Sequence, residues 1–91
     1  MNETEVIRVR YWAAARSAAG VAEEAVEASG PLTLAELRDE VVRRHDDRRF
    51  ADVVKVCSVL VGEQPVSSGD PGAVVVQPGD TVEFLPPFAG G

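Results

Sequence analysis

Cysteine and histidine each occur once in this sequence, at Cys57 and His45, and the two scarcities exclude several chemistries together. A single thiol cannot close an intramolecular disulfide. Metal sites built on paired cysteines or clustered histidines need ligands the sequence does not contain. No apolar run approaches the roughly 20 residues that a membrane-spanning helix needs. The opening, Met1-Asn2-Glu3-Thr4-Glu5, is acidic, and the apolar residues after it are interrupted by Arg8 and Arg10, which is not the pattern of a secretory leader. A continuous basic track is missing too. The densest basic stretch, from Arg43 to Arg49, is broken by Asp46 and Asp47, and the net charge is −6 from 15 acidic and 9 basic residues. Such a surface repels nucleic acid and suits docking on basic proteins. The expectation is a soluble, cytoplasmic protein with no bound cofactor or metal, no nucleic-acid partner and no membrane partner.

What is present suffices for one small domain. A chain of 91 residues, 45% of them hydrophobic, buries roughly 60–65% of its unfolded surface and needs no disulfide or metal to do so. From Val6 to Trp12, Ile7, Val9 and Tyr11 alternate with Arg8 and Arg10, the period-two signature of a half-buried strand. Ala13 to Ala19 is rich in helix formers and stops at Gly20, a natural C-terminal cap. Glu24 to Ala28, closed by Ser29-Gly30-Pro31, reads as a second strand paired with the first. The best-marked element is a helix from Thr33 to about His45. Thr33 and Glu36 form a capping box, and Leu32 and Leu37 a hydrophobic staple. Leu34, Leu37, Val41 and Val42 supply its apolar face, with Asp39/Arg43 and Glu40/Arg44 pairing outside.

Residues 46–55 read as a mixed connection that tucks Phe50, Val53 and Val54 under the core. Val56 to Val61 is an apolar strand containing Cys57, and Gln64-Pro65-Val66 is at most an edge strand. After a turn-rich loop come Val74-Val75-Val76, the turn Pro78-Gly79-Asp80, and a last strand, Thr81 to Leu85, with Val82 and Phe84 on one face. Strand, strand, helix and then strands make an α+β domain, with one principal helix and a short extra helix on a mixed sheet.

Beyond Leu85 lies Pro86-Pro87-Phe88-Ala89-Gly90-Gly91. Six residues reach at most about 20 Å. The prolines cannot join a central sheet and hold the base of the tail extended, while the glycines let backbone enter a narrow channel. A terminal carboxylate, ionised at neutral pH, becomes an acyl donor once its oxygen is turned into a leaving group.

The segment Gly79-Asp80-Thr81-Val82-Glu83-Phe84-Leu85-Pro86-Pro87-Phe88-Ala89-Gly90-Gly91 resembles the C-terminus of the small, sulfur-carrying subunits of molybdopterin synthase (MoaD-type). The opening Ile7-Arg8-Val9-Arg10-Tyr11-Trp12-Ala13, with Arg16 and Gly20, resembles that family's first strand and helix, and Thr33-Leu34-Ala35-Glu36-Leu37 its main helix. The resemblance implies a β-grasp, ubiquitin-like domain over residues 1–85 and an extended tail over 86–91. It implies that an adenylating enzyme (MoeB-type) activates Gly91 with ATP, and that a sulfur donor converts the adenylate to a thiocarboxylate. The tail then enters a large subunit (MoaE-type), where sulfur passes to a pyranopterin precursor. On this reading the chain is a cosubstrate more than a catalyst. Gly91 and Gly90 are the reactive end, and Phe84, Pro86, Pro87, Phe88 and Ala89 meet partners, with Arg16 a further candidate contact. Two departures stand out. The 67–77 connection is longer than the family's, and Val61-Gly62-Glu63 replaces its Asn-Gly-Glu turn.

Plainer readings stand beside these. Gly90-Gly91 is also what a frayed terminus looks like; Phe88 is either a surface residue or a docking anchor; Val82 and Phe84 are either core or interface. Cys57 reads as core rather than a sulfur relay, and His45 as a cation favoured at a helix C-terminus. Alternative functions are a carrier for thiamin thiazole or cysteine synthesis, or a ubiquitin-like modifier joined to lysines.

Overall fold

Alternation in the first strand decides the architecture. In the computed structural model, which describes residues 5–66 and 69–87, β1 runs Val6–Tyr11 with Ile7, Val9 and Tyr11 buried and Arg8 turned outward. Antiparallel to it lies β2, Glu23–Glu27, in the register Val9↔Glu24 and Ile7↔Val26. The other side of β1 pairs in parallel with Thr81–Leu85, through Val9↔Val82 and Tyr11↔Phe84. That last strand is β7. It also pairs antiparallel with β4, Ser58–Val61, so that Ser58 faces Leu85, and β4 pairs with the short β5, Gln64–Pro65. The resulting order is β2-β1-β7-β4-β5. The chain's final strand thus occupies the middle of a mixed sheet, hydrogen-bonded on both edges.

Helices cover one face of this sheet. The short helix α1, Ala13–Ala19, ends at Gly20, whose φ of 80° is the left-handed conformation that glycine adopts without a Cβ clash. The principal helix α2, Leu34–Arg44, starts at the expected capping box: the Glu36 N–H donates to the Thr33 hydroxyl at 3.0 Å and the Thr33 N–H to the Glu36 carboxylate at 2.9 Å. Leu34, Leu37 and Val41 are its buried face. On its outer side Glu40 binds both Arg43 and Arg44, so the expected Asp39/Arg43 pair is replaced by Glu40/Arg43.

The connection after α2 corrects the sequence reading. Residues Arg48–Val56 form a third helix, α3, capped by the Asp47 carboxylate, which accepts the Arg49 N–H at 2.8 Å. Phe50 and Val54 point into the core from it, at the i,i+4 spacing of a helix face. Val56 is therefore the last helical residue rather than the start of a strand, and Cys57 is the helix cap. Val75–Val76 (β6) does not join the main sheet; it pairs with Leu32–Thr33 (β3) in a separate two-stranded ribbon. A 3₁₀ turn at Pro71–Ala73 leads into it, and the Leu34 N–H donates to the Val74 carbonyl at 2.8 Å, tying the ribbon to the start of α2.

Among the described residues fourteen buried apolar side chains form the core, with Tyr11, Phe50 and Phe84 the largest fully enclosed ones. Tyr11 stacks on Phe84 at 6.1 Å and meets Phe50 edge-on at 5.3 Å. These aromatics fix the end of β1 to the end of β7, where the tail begins.

Candidate functional site

The site expected from the sequence is built on the exit of β7. Its position follows from pairing on both sides: Tyr11 and Ser58 flank Phe84 and Leu85, and the Trp12 N–H donates to the Phe84 carbonyl at 3.2 Å. The backbone remains held until Leu85. Pro86, half-buried, and Pro87, exposed, follow at once and supply no N–H to continue the ladder. Phe88, Ala89, Gly90 and Gly91 lie outside the described residues, so the expectations placed on them rest on the sequence.

One partner-contact expectation is corrected. Phe84 has no exposed surface; its ring is stacked against Tyr11 inside the core. Inward parity on a central strand put it there, alongside Val82. The exposed aromatic at this end is Trp12, which the sequence reading treated only as the close of a strand. Its parity was the available signal: Arg8, Arg10 and Trp12 share the outward positions of β1 and its extension, and an indole there has no core to enter.

Three features hold Trp12. Its indole N–H donates to the Glu83 carboxylate at 2.9 Å, and the Arg10 guanidinium lies 5.1 Å from the ring centre, within cation–π range. Directly after it, Ala13 takes φ 50°, a left-handed conformation that costs a non-glycine residue roughly 1–2 kcal/mol. That corner lets the Trp12 carbonyl accept the Ala15 N–H at 3.0 Å and begin α1 immediately. Arg16 is exposed one turn into α1, where it borders a shallow hollow with Ala13, Ser17, Gly20, Val21 and Ala22. The tail's root and Arg16 are thus at the same end of the fold.

A second polar cluster lies under the C-terminal end of α2. Glu24 has inward parity on β2, and its carboxylate accepts the Tyr11 hydroxyl proton and lies 2.6 Å from His45 Nε2. Arg44 approaches the other oxygen at 3.5 Å and donates to the Ala25 carbonyl at 3.0 Å, covering part of the free edge of β2. Burial acts to raise the Glu24 pKa, but the Tyr11 and His45 hydrogen bonds, with the His45 and Arg44 charges, together hold it below the ordinary glutamate value. Burial, then the Glu24 bond and charge, push the Tyr11 phenol well above its ordinary value. The cluster joins β1, β2 and the α2–α3 turn through fully partnered groups, as a structural element does.

Cys57 is half-buried, its thiol donates to the Val53 carbonyl at 3.2 Å, and burial pushes its pKa up to about 11. A thiol so poorly ionised is a weak nucleophile, which argues against a sulfur relay at this position. Among the described residues no group of three or more His, Cys, Asp or Glu side chains is arranged to hold a metal ion, and no helix is long and apolar enough to cross a membrane.

Comparison with known proteins agrees with this layout. The model of the ThiS family matches residues 9–91. The human molybdopterin synthase sulfur carrier subunit is 31% identical over 85 residues, covering 93% of this chain and 93% of that protein. A Pyrococcus furiosus protein assigned as subunit 1 of molybdopterin converting factor superposes with a TM-score of 0.73 at 26% identity, over 92% of this chain and 99% of that one. Two more distant structures share the fold. A chain of the protein–protein complex of subunits 1 and 2 of Helicobacter pylori molybdopterin-converting factor has a TM-score of 0.63 at 19% identity, covering 94% of this chain and 99% of that one. Urm1 from Trypanosoma brucei has a TM-score of 0.74 at 19% identity, covering all of both. The ubiquitin-like β-grasp fold expected from the sequence is therefore the one observed, with an additional helix. With a central last strand that leads straight to the tail and a family match spanning nearly its whole length, the chain belongs to the ThiS family of ubiquitin-like β-grasp proteins, the group that includes the MoaD-type carriers.

Proposed function

We propose that the chain carries sulfur for molybdopterin synthesis as the small subunit of a molybdopterin synthase. The observation that carries this reading is the human sulfur carrier subunit, which matches at 31% identity over 93% of both chains. The geometry supports it. A strand held on both edges delivers Pro86-Pro87 from the middle of the sheet, so the root of the tail stands on a rigid base.

The chemistry falls on Gly91. A carboxylate oxygen attacks the α-phosphorus of ATP in the activating enzyme, pyrophosphate leaves, and the carbonyl carbon becomes an acyl-adenylate. A donor persulfide attacks that carbon through its outer sulfur and displaces AMP, giving an acyl disulfide; a second thiol then attacks the donor's own sulfur, forms a disulfide with it and releases the thiocarboxylate. Within the large subunit this sulfur is the nucleophile toward the pyranopterin precursor. The body of this chain binds and aims; it contributes no described side chain to bond making.

Incubating the chain with ATP, its activating enzyme and a sulfur donor is expected to exchange one oxygen for sulfur in the intact mass. An unchanged mass, with a control carrier converted in parallel, refutes the reading. The Urm1 likeness raises a second reading, a protein modifier joined through the same glycine, but at 19% identity that likeness is one of fold. Lysine-linked adducts in cell extract that vanish on deletion of Gly91 would favour it. Recovery of a thiazole synthase or a cysteine-forming enzyme in place of a large synthase subunit would favour another sulfur pathway.

A further inference from the structure

The backbone bonds of β1 decide which groups of β2 are already taken. The Arg8 and Trp12 N–H groups donate to the Asp80 and Phe84 carbonyls, and the Val6 carbonyl accepts from Gly79. Even-numbered residues of β1 therefore turn their backbone toward β7 and its lead-in. The Tyr11 N–H donates to the Ala22 carbonyl and the Glu5 carbonyl accepts from Ala28, so odd-numbered residues face β2. In the observed register Glu24 and Val26 bond to β1, through Val9 and Ile7. Glu23, Ala25 and Glu27 aim their N–H and C=O groups the other way, off the edge of the sheet, and all three are exposed. Among the described residues one bond reaches this row, from the Arg44 guanidinium to the Ala25 carbonyl at 3.0 Å. The register runs unbroken from Glu23 to Glu27, with no proline or bulge to blunt the edge.

We propose that this edge is a strand-addition site whose occupant is an extended, lysine- or arginine-bearing segment of a partner protein. Charge selects the occupant. A strand laid antiparallel along β2 sets side chains opposite Glu23 and Glu27 on the outer face, with the small Ala25 between them. Glu23 already holds Arg8 at 2.9 Å, whereas Glu27 has no ion pair among the described residues and takes the first incoming cation. A second copy of this chain is disfavoured by the same rule. Two β2 edges paired about Ala25 would put Glu23 opposite Glu27 twice, and like charges directly opposite destabilise. Arg44 is a displaceable placeholder. It occupies the carbonyl that an incoming N–H needs, and on leaving it keeps Glu40 at 2.9 Å. Because β1 stands between, the edge lies two strand spacings, about 10 Å, from β7. A partner held here leaves the tail's root uncovered, and the site does not depend on the carrier reading.

The probe is a cyclic β-hairpin peptide whose free strand alternates lysine and threonine, ring closure removing part of the ordering cost. Titrated into the full, isotopically labelled chain at neutral pH, it is expected to move the Glu23, Ala25 and Glu27 amide signals and slow their hydrogen exchange. A hairpin with glutamate in place of lysine should not bind. Ala25→Pro removes an edge donor that β1 does not use, a position where a strand tolerates proline, and should weaken binding on the order of tenfold. Arg44→Ala, by uncovering the Ala25 carbonyl, should tighten it about threefold. The lysine hairpin N-methylated on its edge-facing amides keeps every charge and should not bind, which decides the matter if Ala25→Pro folds poorly. Equal binding of the parent and N-methylated hairpins reduces the effect to surface charge and overturns the site. Shifts confined to residues away from β2, or no shift at millimolar peptide, overturn it as well.

Discussion

Glu24 offers the most exacting test of the structure, because one carboxylate serves three neighbours. Its side chain and that of His45 are only 18% and 16% exposed, and the Tyr11 hydroxyl has no other partner among the described residues. Replacing Glu24 with Ala strands the Tyr11 donor and removes the partner of His45. A buried polar group left without a partner costs about 1–3 kcal/mol, so the two together give about 2–6 kcal/mol, towards the lower figure if water reaches His45. For a domain of this size each kcal/mol moves Tm by roughly 4–8 °C, so even the lower figure of about 2 kcal/mol places the drop at roughly 8–16 °C. Thermal unfolding followed by circular dichroism at neutral pH measures it. A drop under about 5 °C refutes the claim that the cluster ties β1, β2 and the α2–α3 turn together.

The pH dependence gives a second arm to the same test. Glu24 is held below the ordinary glutamate pKa in the folded chain, and in the unfolded chain it titrates near the ordinary value of about 4.3. Its ionised form therefore stabilises the fold at pH values above about 4.3, and the contribution is lost as pH falls through the lower folded value. Glu24→Gln keeps an oxygen for the Tyr11 donor and has no charge to lose. The stability gap between wild type and Glu24→Gln should be full at pH 7 and close on acidification. A gap of constant size down to pH 3 contradicts the assignment.

Other expectations follow from single residues. Thr33→Ala removes the side-chain half of the capping box and should cost about 1 kcal/mol in denaturant unfolding, with sulfur loading intact. Deleting Gly91 should leave the unfolding midpoint unchanged and abolish loading, read by intact mass. Phe84→Ala, which empties a fully enclosed aromatic site, should cost about 3–5 kcal/mol and reduce loading only in proportion to unfolding; a folded variant that fails to bind partners would return Phe84 to the interface. The Cys57 thiol, with its pKa pushed up to about 11, should alkylate slowly at pH 7 and faster as pH rises, and a rapid reaction at neutral pH would contradict the burial described.

What could be read from the residues alone was whatever local periodicity or turn chemistry specifies. Strand β1, helix α1 with its glycine stop, the capping box of α2 and the parity of β7 are all local patterns, and all are present. Helix α3 escaped for a physical reason. Val53, Val54 and Val56 are β-branched and favour strands by propensity, yet Asp47 caps the segment and Phe50 and Val54 lie one helical turn apart against the core. Tertiary packing overrode propensity. The β3–β6 ribbon joins residues more than 40 positions apart, a separation no window of sequence can sense. Glu24 was read only as the start of the second strand, when its inward parity was the sign that something had to receive its charge.

The reactive end was legible as chemistry, whereas its mounting required the fold. Glycines and prolines after a strand describe a tail that can enter a channel, but the same letters at a sheet edge would hang from a frayed strand and aim nowhere. Here β7 is hydrogen-bonded by β1 on one side and β4 on the other, and its last inward residue, Phe84, is clamped by Tyr11. An opening fluctuation at the tail's base must break both ladders and pull an aromatic ring from the core, so Leu85 stays fixed in the free protein. Aim is then a property of the sheet, and damage to the sheet should reach it. Substitutions in the Tyr11–Phe84 clamp should therefore lower stability and delivery together. A clamp variant that lost delivery while keeping its parental Tm would show that the mount is not what aims the tail.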